Sequence, residues 1–198
     1  MNPRTQRRWL ADQAARCMSE FLIDDPLQAL RRVMQRQRAV PDRRNWPDAD
    51  EIRTALRDHQ RLFHGPRQSR QLSLRREAAV EAMDFFAGFR PRLVGSVLDG
   101  TADAHSPVQL HLHSDDPEAV LLFLQEHAIA HRVGERRIHL RPRQPEPVPW
   151  LRFDADGIEF QLWVLPASSA RQSPLQADGQ TPMTRASRSR VLQLGAEA

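Results

Sequence analysis

The 198-residue chain has no lysine, no tyrosine and only one cysteine. A single thiol excludes an intramolecular disulfide. Cys17 also falls on the apolar side of the first helical pattern, where a small buried hydrophobe is expected rather than a reactive group. Long apolar runs are missing too. None approaches the ~18 residues needed to cross a bilayer, so no membrane partner is expected. The opening MNPRTQRRWL is basic but has no continuous apolar stretch behind it. It does not read as a secretory signal, and the expected location is cytoplasmic.

What is present is arginine: 29 basic side chains against 25 acids, for a net charge of +4. A coding preference for Arg and Ala explains this more simply than function does, and the sequence pI near 10.9 follows partly from the high arginine pKa. The charge is uneven, at +6 over residues 1–70, −4 over 71–165 and +2 beyond. A basic arm beside an acidic body suits nucleic acid, an acidic protein or plain solubility. The scattered arginines favour solubility. Length and composition allow one globular domain with a helical extension.

Four helical patterns come first. Leu10, Ala14, Cys17, Met18, Phe21 and Leu22 recur at helical spacing over about residues 4–23. Asp25-Pro26 opens a second helix with Leu27, Leu30, Val33 and Met34 inside and Pro41 beyond its end. Trp46-Pro47-Asp48 opens a third, with Ile52, Ala55, Leu56 and Leu62 inside, closed by Gly65-Pro66. A fourth is expected from about Ser69 to Ala87, with Gly88 after it.

The period then changes to two. Arg92-Leu93-Val94 is a short strand, and Val108, Leu110 and Leu112 alternate with Gln109, His111 and His113 as a strand with one buried face. Ser114 is the expected cap of a helix carrying Val120, Leu121, Leu124 and Ile129. One hairpin is expected from His131–Val133 to Ile138–Leu140, turning at Gly134-Glu135, and Pro142 to Pro149 reads as a loop. A second hairpin joins Leu151–Phe153 to Ile158–Leu165 through Asp154-Ala155-Asp156-Gly157. Trp150 and Trp163 are expected to seal the core where the strand ends meet the helices. The tail from Pro166 reads as extended, with a short closing helix over Arg185–Leu194. The fold class is therefore α+β: a helical arm over 1–70, a mixed-sheet domain with flanking helices over 71–166, and a tail over 167–198.

The stretch Gly95-Ser96-Val97-Leu98-Asp99-Gly100-Thr101-Ala102-Asp103-Ala104-His105-Ser106-Pro107-Val108-Gln109-Leu110 resembles the motif of the nucleotidyltransferase superfamily. In that motif Gly-Ser opens a turn and helix, and Ser-Asp-x-Asp-Leu begins the next strand. Gly95, Ser96, Gly100, Ala102, Ser106 and Leu110 match in register, and the likeness extends over roughly Arg75 to Pro166. It implies a nucleotidyltransferase-like fold in which Gly95 and Ser96 meet the phosphate of a nucleotide or other phosphorylated ligand. Glycine permits close backbone approach, and free N–H groups at a helix start attract negative charge. It also implies carboxylates at 107 and 109 that share magnesium or another divalent metal with a third carboxylate. Those two positions are Pro107 and Gln109, and Glu159 stands where the third could be. Asp99 stands where many relatives carry a basic residue.

One carboxylate does not hold two magnesium ions. The expectation is a degenerate site, a pseudoenzyme that binds a phosphorylated ligand or serves as a scaffold, with no catalytic residue assigned. Gln109, His111 and Glu159 remain candidates for an altered metal set. Two histidines at i and i+2 suit zinc or another transition metal, and a polar strand face is the plainer reading. His139 is a further neighbour-strand candidate, whereas His59, His64, His127 and His131 read as surface residues. Arg185, Arg188 and Arg190 point toward a phosphate or cover the sheet edge, or are simply solvated. The third reading is the basic arm as a nucleic-acid or acidic-protein module, with steep salt dependence.

Overall fold

Helical periodicity becomes four helices: α1 (Pro3–Phe21), α2 (Pro26–Gln35), α3 (Ala49–Phe63) and α4 (Gly65–Phe85). The computed structural model describes residues 2–21, 23, 25–35, 42–63 and 65–196. The expectations placed on Leu22, Pro41, His64 and the Leu62 side chain lie outside these. Asp25 caps α2, its Oδ1 accepting from the Leu27 N–H at 2.9 Å. Asp48 and Glu51 cap α3 reciprocally, each side chain accepting the other's backbone N–H at 2.9 Å. α4 starts at Gly65, four residues before Ser69, and crosses residue 70 without a break. Proline in a first helical turn loses no bond, so Pro66 starts this helix instead of interrupting it.

The apolar faces of α1, α2 and α3 bury one another. Leu10, Leu30 and Ile52 lie at the centre of this cluster, with Cys17 buried beside them as expected. A second, larger cluster lies under the sheet. Met83 of α4 and Phe86 just after it pack there on the strands and on α6 (Pro117–Glu126). The sheet holds β1 (Arg92–Val94), β2 (Val108–His113), β3 (Arg132–Arg141), β4 (Gln144–Ala155) and β5 (Ile158–Leu165), in the order β1-β2-β5-β4-β3. Only β2 and β5 run parallel, so the sheet is mixed. With α5 (Gly95–Asp99) and α7 (Arg188–Ala196), the described residues form seven α-helices and five strands, an α+β protein. No helix among them is long and apolar enough to cross a membrane.

Three sequence expectations fail on the far side of the sheet. Gly134-Glu135 is no turn: β3 runs straight through it, and the chain turns at Pro142-Arg143, with Arg143 at φ 59°. Gly134 is opposite Trp150, and a Cβ there would come within 3.2 Å of the indole. The glycine makes room for a ring, which the sequence presents as a turn signal. Pro142 to Pro149 is no loop either, because Gln144 onward is β4. Pro145, Pro147 and Pro149 all face the same edge by period two, and β5 pairs only with residues 150–155. Their absent N–H groups therefore interrupt no ladder. Finally, Trp150 and Trp163 lie opposite each other on the sheet face away from α4 and α6. That face has its own small apolar cluster of Ile138, Val148 and Leu165, with Trp163 against it.

Two smaller differences are local. Asp116, not Ser114, caps α6, its Oδ1 accepting from Glu118 N–H at 3.0 Å, because Pro117 takes the first helical position. Ser114 instead donates its hydroxyl to the Asp116 carbonyl. Ile129 lies after the helix, although it still packs on the core. The tail adds an edge bridge, Leu93 to Ala186, before α7 closes over α4.

Candidate functional site

The turn after β1 begins at Gly95, whose φ of 75° suits glycine. Val94 pairs with Gln109, so the turn stands beside the strand that starts at Val108. A Cβ on Gly95 would lie 1.9 Å from the Gln109 Oε1. The side chain at 109 therefore fills the space directly over the Gly95 α-carbon. Its amide then donates to Gln161 Oε1 at 3.2 Å, and Gln161 donates to Glu159 Oε1 at 2.6 Å. Glu159 Oε2 in turn pairs with Arg152 at 2.6 Å. A polar ladder thus crosses β2, β5 and β4, ending in a neutralised carboxylate. Gln161 and Arg152 carry no sequence motif. Their only signal is the alternation of β5, which sets Glu159, Gln161 and Trp163 on one face.

Ser96 opens α5, and its hydroxyl is buried with no hydrogen-bond partner among the described residues. It lines a cavity of about 70 Å³ between the helical arm and the 95–106 stretch. Ile23 and Leu56 supply an apolar side, and Gln60 and Asp103 a polar one. Gln60 is 6 % exposed, donates to the Thr101 carbonyl at 2.7 Å, and leaves its own Oε1 unpartnered. The space is about twice that of one water, ~30 Å³, and takes a group of few heavy atoms. Gln60 had a readable signal: Ile52, Leu56 and Gln60 form one i, i+4, i+8 stripe, so a polar residue continues a buried face.

The loop from Asp99 to Ser106 is held by side chains from the helices. Gln68 donates to the carbonyls of Gly100 (3.1 Å) and Ala102 (3.0 Å). Arg75, 4 % exposed, donates to those of Ser106 (2.7 Å) and Ala104 (2.5 Å). Asp99 pairs with Arg53 at 2.7 Å, while burial raises its carboxyl pKa above the ordinary value against the pull of Arg53 and Arg57. Backbone acceptors that lie outside any strand or helix are thereby satisfied, which a buried loop requires.

Further along the same sheet face stand the two histidines. They are not half-exposed as the alternation implies: His111 is 1 % and His113 4 % exposed. The His111 ring meets Trp163 edge-on at 5.8 Å, and its Nδ1 has no partner. Burial, with Arg185 and His113 nearby, pushes its pKa down to about 3, so the imidazole is neutral. His113 Nδ1 contacts the Arg90 carbonyl at 2.8 Å and its Nε2 contacts Arg185 Nη1 at 3.1 Å. That pattern assigns the Nδ1–H tautomer, with Nε2 accepting. Of the tail arginines, only Arg185 reaches this face. Arg188 pairs with Asp84, and Arg190 with Gln193.

No three His, Cys, Asp or Glu side chains converge on a metal-sized point among the described residues. Of the three metal candidates, Glu159 is committed to Arg152 and Gln161, Gln109 to Gln161, and His111 to the Trp163 edge. His139 lies on β3, where its carbonyl accepts from Leu175. No protein-family model, curated protein or solved structure matches the chain.

Proposed function

We propose that this chain is a catalytically silent nucleotidyltransferase-like protein that binds the phosphate end of a small ligand beside Gly95 and Ser96 without a divalent metal. The supporting observation is the polar ladder. Where the resemblance expects carboxylates, Pro107 has no donor atom on its side chain, and the Gln109 amide leans over Gly95 toward Gln161. The remaining acid, Glu159, is already paired with Arg152. Magnesium prefers anionic oxygens in octahedral array, and this donor set does not fit a pair of such ions. Ser96 keeps a buried hydroxyl free to donate. The cavity of about 70 Å³ beside it has room for a phosphate-sized group.

The basic-arm reading is less favoured. Arg7 pairs with Glu51 at 2.7 Å, Arg53 with Asp50 and Asp99, and Arg57 donates to the Asp99 carbonyl. These cations are spent within the protein, leaving fewer for phosphates of a nucleic acid.

Thermal-shift titration with nucleoside triphosphates, with and without magnesium, manganese or zinc, tests the proposal. Stabilisation that is independent of metal and lost in Ser96→Ala is expected. Metal-dependent stabilisation accompanied by pyrophosphate release would overturn it. Pro107→Asp with Gln109→Asp is expected to create a magnesium-dependent shift that the parent chain lacks.

A further inference from the structure

The second face of the sheet carries Glu159, paired with Arg152, and at its β1 end gathers positive charge that no carboxylate contacts among the described residues. Arg92 is opposite His111 in the β1–β2 register, so both side chains leave the same face. Ala186 bridges Leu93 on the outer edge of β1 and points to the core, which sends the neighbouring Arg185 to the Arg92 face. From there Arg185 reaches across to His113. Its Nε donates to Ser173 Oγ at 3.1 Å, and its Nη1 donates to the Ser169 carbonyl at 2.9 Å and contacts His113 Nε2. No carboxylate among the described residues contacts it. Arg92 makes one long hydrogen bond, to the Pro91 carbonyl at 3.4 Å, and also meets no carboxylate.

Each arginine therefore keeps unused donors. Arg92 has its Nε and Nη2 groups, and Arg185 its Nη2. Beneath them His111 is 1 % exposed with Nδ1 unpartnered. The charge environment agrees with the geometry. Arg185 has its pKa lowered by burial and then by Arg92, and His113 is held down by burial, against its hydrogen bond to the Arg90 carbonyl, with the charges of Arg185, Arg92 and Arg90 adding to the lowering. Two guanidinium groups in mutual repulsion, one of them half-buried, are an arrangement that folding alone does not favour. A guanidinium fork matches an oxyanion in distance and angle, and two forks match one better.

We propose that Arg92 and Arg185 form an oxyanion site over His111, taking the phosphate or carboxylate group of a small molecule. Ser173 borders the site and orients the Arg185 fork. The site stands apart from the Gly95–Ser96 turn and does not depend on that turn binding anything.

Isothermal titration calorimetry on the full chain tests it, with inorganic phosphate and, separately, acetate as probes at constant ionic strength set by chloride. In a Ser96→Ala background, which removes the other proposed phosphate contact, saturable one-to-one binding of either probe is expected, and the tighter one identifies the ligand chemistry. Arg92→Gln is expected to weaken it at least tenfold in that background, and Arg16→Gln, exposed on the helical arm, to leave it unchanged. Arg185→Gln should do the same as Arg92→Gln. Because Arg185 also anchors the tail, the Arg92 variant decides if the Arg185 variant fails to fold. In buffer free of both probes, Arg92→Gln should melt no lower than the parent, since it removes an unpaired charge. Absence of saturable binding by both probes overturns the proposal. So does undiminished binding by Arg92→Gln in that background.

Discussion

The two faces of one sheet are built on different terms. Toward α4 and α6, Leu93, Leu110, Leu162 and Leu151 stand in a single row across four strands, all fully buried. One position along, the opposite face presents Arg92, His111, Trp163 and Trp150 from the same strands. The leucine row is accounted for by transfer of apolar surface out of water, worth about 1.5–3 kcal/mol for each fully buried side chain. The second row includes a cation, a buried neutral imidazole and an unpartnered indole N–H. Stability does not select such a row, so its residues are where function is to be sought.

That contrast can be broken by mutation, and the largest effect is expected on the leucine side. Leu110→Ala should cost about 2–5 kcal/mol in urea denaturation, because the surrounding row cannot collapse into the cavity. A loss under 1 kcal/mol would mean the core face is not close-packed. Acid comes next. The folded-state pKa of His111 lies near 3, below its unfolded value of about 6.5, so the unfolded chain takes up this proton first. The corresponding stability is fully present above pH 6.5 and is lost as pH falls toward 3. Between pH 7 and pH 5 the loss should be about 2 kcal/mol, and His113 shifts in the same direction. His111→Leu should flatten the pH dependence of the urea midpoint over that range.

Gly95→Ala comes third. The left-handed φ costs a side chain about 1–2 kcal/mol, and the new methyl must also displace the Gln109 amide. Gln109→Ala in the same chain should recover the displacement part and leave the backbone part, which a double-mutant cycle separates. Smallest of all should be Gln109→Met alone. It removes one neutral hydrogen bond at a half-exposed site, so the denaturation midpoint should move by less than about 1 kcal/mol. A large loss there would show that the polar ladder is itself a structural element.

Much of the helical half was legible because its signals are local. Asp25-Pro26 and Asp48 with Glu51 fix helix starts within one turn, and the i, i+4 apolar stripes fix the inward face. The Asp156-Gly157 turn, with φ of 50° and 76°, was legible for the same reason. β3 and β4 were not, since Gly134 and the prolines take their meaning from a partner strand. A glycine opposite a tryptophan and a glycine in a turn are one letter in the sequence. The candidate site divided likewise. Gly95, Ser96 and Gln109 stand in one contiguous stretch, and Glu159 was singled out by the resemblance. Arg92 and Arg185 are 93 positions apart and meet only because the tail returns to bridge β1. The burial of His113 was missed because the tail's Arg185 lies against it, and that of His111 because the Trp163 ring of a neighbouring strand does.

The spacing of Pro145, Pro147 and Pro149 has one more outcome. Along that margin of β4 every second residue lacks an amide hydrogen, and the Pro145 carbonyl is already taken by Arg137. A strand from another molecule arriving there finds acceptors but no donors, and cannot complete a ladder. The three rings that look like breakers thus act as a guard, keeping an uncovered ribbon from recruiting its own kind into fibrils.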